Sequence, residues 1–131
     1  MIHKVCRVLL ILWAGSLWSL SWVTWNLFHV QSDRHLAGML AGPLFSAEAY
    51  LGVAVAALAL CSPIRGRFAW GYVAAALLAA NEWALRPVMA AARRHGVSAG
   101  LTFGAWHGVS AGLYVLACLA LLVLVWNEDF R

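Results

Sequence analysis

The chain has 131 residues, 64% of them hydrophobic and 11% charged, with a mean hydropathy of +0.81. A soluble domain of this length could not hide so much apolar side chain, so the composition excludes an ordinary water-soluble globule and makes lipid the natural solvent. The formal charge of +4 is small and sits at the ends of apolar segments, which is the pattern of membrane orientation and not of a nucleic-acid-binding face.

The chain opens Met-Ile-His-Lys-Val-Cys-Arg and runs into an apolar stretch, as a signal peptide does. The stretch continues to Val30 with no small-x-small cleavage site, so it reads as a retained first span. Four spans are expected, over residues 8–30, 36–61, 68–89 and 101–126, each near the ~20 residues a helix needs to cross the hydrocarbon core. Backbone groups in lipid must be satisfied internally, so each span is a helix. The connections 31–35 and 62–67 are short, which makes neighbours antiparallel and predicts an all-α, integral membrane up-down four-helix bundle in one domain. With the N-terminus inside, Lys4, Arg7, Arg65, Arg67 and Arg131 face inward and Arg34, Arg86, Arg93 and Arg94 outward. That narrow bias favours both termini inside, in a bacterial inner membrane.

Small residues recur at four-residue spacing: Gly38 and Gly42; Gly71, Ala75 and Ala79; Gly104, Gly108 and Gly112. In lipid such spacing marks close helix packing. Pro43, early in the second segment, is expected to kink or restart that helix. Cys6, Cys61 and Cys118 make an odd number at no metal-ligand spacing and imply no disulfide framework.

The polar groups gather in one half of the expected bundle. His107 lies six residues into the fourth segment, roughly 9 Å deep, and Glu48 twelve residues into the second, roughly 18 Å deep. Asn81, Glu82 and Arg86 lie late in the third, and His29 and His35 flank the first connection. Ionisable groups at such depth are costly, so pairing or function is the default reading. Glu82 and Arg86, four apart, can pair on one helix face. Glu48 has no partner on its own helix and must find one across the bundle or carry a proton. His107, Ser110, Tyr114 and Cys118 step along one face of the last segment. They form either a ligand or proton site centred on His107, or interhelical hydrogen bonds that fix register.

Two ligand readings follow. His35 and Met39, with Met89 and His107 on the same side, combine imidazole with thioether, a set suited to Cu(I); the plain alternative is core filler and a solvated loop histidine. Trp18, Trp22, Trp25 and His29 share a face of the first segment and could line a flat cofactor such as haem b, with His29 or His107 as axial ligand; the plain alternative is a lipid-facing aromatic stripe. No Cys-x-x-Cys-His is present, which excludes covalent c-type haem. Trp70 and Trp126 sit at span ends as interfacial anchors. No catalytic residue is assigned: Ser110 three residues after His107 lacks an orienting acid, and no Walker, zinc-protease or dinucleotide motif is present.

The hexapeptide His-Gly-Val-Ser-Ala-Gly occurs at 95–100, in a basic loop, and again at 107–112, inside an apolar run. Residues 34–45 (RHLAGMLAGPLF), Asn81 with 86–93 (RPVMAAAR), and 103–110 (FGAWHGVS) together resemble small bacterial membrane proteins related to eukaryotic transmembrane protein 205. The resemblance implies a four-helix bundle of unestablished biochemical role, with eukaryotic relatives linked to drug resistance and secretion. It favours Arg34, Asn81, Pro87, His107 and Ser110, and carries a distant architectural likeness to copper-resistance D and HemJ-type haem-binding membrane proteins. Three functions are therefore expected as alternatives: metal or haem handling, a non-catalytic accessory or assembly subunit that forms a homo-oligomer or joins a larger membrane complex, and a proton-linked transporter acting as a dimer. The lipid bilayer is the expected partner in all three, and nucleic acid in none.

Overall fold

The computed structural model describes residues 1–127; Glu128, Asp129, Phe130 and Arg131, the last counted above among the inward cations, lie outside the described residues. The fold is all-α apart from one minute hairpin. Helix α1 spans Ile2–Val30 and α2 Arg34–Leu60. The chain reverses between them within three residues because Asp33 restarts the helix: its carboxylate accepts from the His35 N–H at 2.8 Å and the Leu36 N–H at 3.2 Å. That bond satisfies amide groups an uncapped helix start would leave bare. Helix α2 runs through Pro43 without ending, so no restart occurs there.

A 3-10 turn, Arg65–Phe68, follows and buries Phe68 to 1% exposure at the foot of the core. The third segment is one continuous helical rod from Ala69 to His95, but not one regular α-helix. It comprises α3 (Ala69–Ala80), a π-helical turn (Asn81–Leu85) and α4 (Arg86–His95). The Arg86 N–H donates to the Asn81 carbonyl, five residues back. Pro87 accounts for the position of this turn: its ring would clash with the Trp83 carbonyl in a regular helix and it has no N–H to offer, so the widened turn just before it relieves the conflict.

The rod continues past residue 89, where the sequence placed its end, because nothing in Ala90–His95 breaks a helix before Gly96, whose φ is +82°. The supposed loop beyond it is a two-stranded hairpin, β1 (Val97–Ser98) and β2 (Leu101–Thr102), pairing Val97 with Thr102 and Ser98 with Leu101. Its two-residue connection has φ +48° at Ala99 and +81° at Gly100. Positive φ at both central residues gives the twist a tight hairpin needs. The indole N–H of Trp106 ties it down by donating to the Ser98 carbonyl at 2.8 Å. Helix α5 then runs Phe103–Asn127.

Helices α1, α2 and α5 are each long and apolar enough to cross a membrane. Packing closes a ring, with α1 on α2, α2 on α3, α3 on α5 and α5 back on α1. Its interior is narrow. Trp13, Leu17, Phe68 and Leu121 fill it, with Ala37, Ala59, Ala74 and Ala117 letting backbones approach. Large apolar side chains such as Trp22, Leu12, Tyr50 and Leu116 point outward, the arrangement lipid favours.

Candidate functional site

The polar residues do converge, though not around His107. They form a belt of side-chain hydrogen bonds that joins each helix to the next. Between α1 and α2, the Ser16 hydroxyl lies 3.2 Å from Glu48 Oε2 and 2.9 Å from the Trp13 carbonyl, the two acceptors for its single proton. Between α2 and the rod, Arg86 donates to the Ser46 hydroxyl while Glu82 accepts from the same guanidinium at 2.6 and 2.9 Å. Between the rod and α5, Ser110 donates to Asn81 Oδ1 at 2.6 Å. The ring closes from α5 to α1, where the Tyr114 hydroxyl donates to the Leu17 carbonyl at 2.7 Å.

The local sequence explains why these groups meet. Without the π turn, the side chains before Pro87 would be rotated by part of a turn relative to those after it. Inserted where it is, the turn lets Asn81 face α5 while Arg86 faces α2. Ser46 is oriented from within its own helix, donating to the Gly42 carbonyl at 3.2 Å. Gly42 lies under the arginine: a Cβ there would meet Arg86 Nη2 at 3.4 Å, an ordinary contact. Glu82 is largely covered, whereas the Arg86 side chain keeps 45% of its surface exposed. Sequence reading found the Glu82–Arg86 pair but not Ser16 or Ser46, since an isolated serine in an apolar helix carries no signal of its partner.

Glu48 is half-buried on α2, with the neutral Ser16 hydroxyl beside it and the buried Trp13 indole nearby. Tyr114 and Cys118 lie within electrostatic reach on α5. Tyr114 also receives the edge of Phe45 at 5.0 Å between ring centroids. Of the stripe expected along α5, Tyr114 and Cys118 are buried and Ser110 is half-buried. His107 is exposed; its ring stacks on Phe103 at 5.8 Å, and Arg93 covers the same phenyl ring at 4.4 Å. Ser110 spends its proton on Asn81, so it forms no serine–histidine pair with His107.

The candidate ligands are spread over several helices. Arg34, His35 and Met39 are exposed on the first turns of α2, and Met89 is half-buried on α4. His29 stacks on Trp25 at 4.5 Å, and its Nδ1 meets the Trp25 carbonyl at 2.9 Å. Trp18, Trp22 and Trp25 are 45%, 70% and 63% exposed, so they stand on the outer wall and not around an interior slot. Among the described residues no three His, Cys, Asp or Glu side chains are placed to share a metal ion.

The small-residue stripes divide in two. Gly52 and Gly71 are filled from inside, by Trp13 and Leu10, at 2.3 and 3.0 Å from where a Cβ would stand. Gly104, Gly108 and Gly112 have nothing within 4 Å of that position, and neither do the single positions Gly15 in α1 and Gly38 in α2. No family model, curated protein or solved structure matches the chain.

Proposed function

We propose that the chain crosses the bilayer four times and serves as a non-catalytic assembly module, associating through the outward glycine face of α5 with a second copy or a larger membrane complex. The observation that carries this reading is the open stripe Gly104, Gly108 and Gly112. Glycine in a helix interior costs roughly 0.5–1 kcal/mol relative to alanine. At Gly52 and Gly71 internal packing accounts for that cost. On the α5 stripe nothing inside the subunit does, and close approach of another helix is what such spacing favours in lipid.

The third crossing is supplied by the rod from Ala69 to His95, roughly 40 Å long at the helical rise. The orientation keeps both ends inside a bacterial inner membrane. Lys4, Arg7, Arg65 and Arg67 are then on the inner side, against Arg34, Arg86, Arg93 and Arg94 outside, where Arg86 pairs with Glu82 within the rod. The kinship with proteins related to transmembrane protein 205 belongs to this proposal. Its favoured residues Asn81 and Ser110 join in the belt, and Pro87 sets the π turn between them.

The test is crosslinking and native mass spectrometry of the full chain from bilayers. Wild type is expected as an oligomer and Gly108→Leu as a folded monomer. A strictly monomeric wild type removes the reading. One observation favours a second reading, a proton-linked carrier: Glu48 is deep in α2 beside a hydroxyl and, among the described residues, forms no ion pair. Proteoliposome proton flux abolished by Glu48→Gln would support that reading, and unchanged flux would remove the carboxylate from it.

A further inference from the structure

On the outer wall, α3 and α5 enclose a groove of about 340 Å3 between Trp70, Val73 and Leu77 on one side and Leu116, Leu119 and Val123 on the other. Its lining is almost wholly apolar. The facing residues follow an antiparallel register, Trp70 opposite Val123 and Leu77 opposite Leu116. The groove therefore runs along the helix axes for roughly 10 Å, which is also the direction of an acyl chain in a bilayer.

One end of this groove has a distinctive chemistry. Trp70 and, a turn beyond Val123, Trp126 are 46% and 86% exposed, at the level where indoles anchor to headgroups. Arg67 lies three residues before Trp70, and Arg65 precedes it on the same 3-10 turn. Both arginines are exposed, and among the described residues neither makes an ion pair. An apolar slot whose Trp70 end follows within a few residues of two exposed arginines, Arg65 being also within electrostatic reach of Tyr72, fits a molecule with a phosphate at one end and a hydrocarbon chain at the other.

We propose that this groove seats an acyl chain of an anionic phospholipid whose phosphate is held by Arg67 and Arg65. The inference rests on the four-span reading, since only a membrane-crossing rod places Arg67 at headgroup level with α3 in the hydrocarbon. Leu116, Leu119 and Val123 continue along α5 the face that carries Gly108 and Gly112, so the test also has to separate lipid from a second copy.

The test uses the full chain in nanodiscs of phosphatidylcholine containing a minor share of phosphatidylglycerol, with lipid retained on the protein measured by native mass spectrometry. Wild type is expected to retain phosphatidylglycerol in preference to phosphatidylcholine. Arg67→Gln should weaken that preference about five-fold, and Arg65→Gln with it further, at the usual worth of a basic residue near a charged surface. Val73→Trp changes an exposed groove residue, so it fills the slot without entering the core, and should lower retention of both lipids. Equal retention by wild type, or a preference that survives loss of both arginines, overturns the proposal. So does a dimer that Val73→Trp dissolves, which would make a second copy the occupant. Labelling of a Ser98→Cys chain with an impermeant maleimide in sealed vesicles separates the two failures: if Cys61 and the added thiol label from one side, the four-span reading falls, whereas opposite-side labelling with no lipid preference defeats the lipid site alone.

Discussion

At Gly52 the indole of Trp13 occupies the space a side chain would need, with Trp13 Cζ2 at 2.3 Å from a built Cβ. Trp13 is 1% exposed and cannot swing aside. Gly52→Ala is therefore expected to cost about 1–3 kcal/mol of stability, the range for overpacking a close-fitted core. Gly108→Ala, with open space around it, should stay within about 0.5 kcal/mol in the monomer. Unfolding titrations in mixed micelles compare the two; equal effects would show that the indole does not fill the space at Gly52. A second contrast concerns polar groups. Ser110→Ala removes a bond between helices and should cost about 0.6 to 1 kcal/mol. His107→Ala takes away only an exposed ring stacked on Phe103 and should cost less. A larger loss at His107, measured the same way, would restore it as the centre of the site. Its depth was legible from its position in the apolar run. Its exposure was not, because that depends on where α1 and α2 stand around α5.

Among the elements, the third segment departs most from its sequence reading. Apolar length placed a helix there correctly, and Pro87 announced a disturbance, but periodicity could not show that the disturbance takes the form of a π turn. A single widened turn changes the facing of every residue beyond it while leaving composition untouched. With Pro87→Ala the Trp83 carbonyl regains a donor and the ring clash disappears. The turn is then expected to relax toward regular α-helix and carry Asn81 away from Ser110. An Asn81→Cys, Ser110→Cys pair should oxidise readily in the native background and several-fold more slowly with Pro87→Ala. Equal rates would mean that the packing of α2 and α5, and not the proline, holds the turn. The hairpin after α4 was likewise hidden, since Gly96 and Gly100 signal a turn without saying that two-residue strands flank it.

For the whole molecule the central question is how often the chain crosses. Cys61 is exposed at the end of α2, while Cys6 and Cys118 are buried. A single added thiol, Ser98→Cys on the hairpin, then gives a two-point topology probe. With four crossings, an impermeant maleimide should label Cys61 and the thiol at 98 from opposite faces of sealed vesicles. Labelling from one face would show that the rod from Ala69 to His95 lies along the membrane surface.

The sequence by itself determined that the chain is helical and strongly apolar and placed its three long apolar helices approximately; the other expected span is instead a rod broken by a π turn. Helicity and placement follow from hydrophobic content and from distances counted along a helix of fixed rise. Only the tertiary structure decided which groups bond to which. Ser16 meets Glu48, Arg86 bridges to Ser46, Ser110 meets Asn81, and the α5 glycines face away from their own subunit. Facing is set by helix rotation and by one π turn, quantities that residue types do not encode locally. Partners on different helices are chosen only when the helices pack.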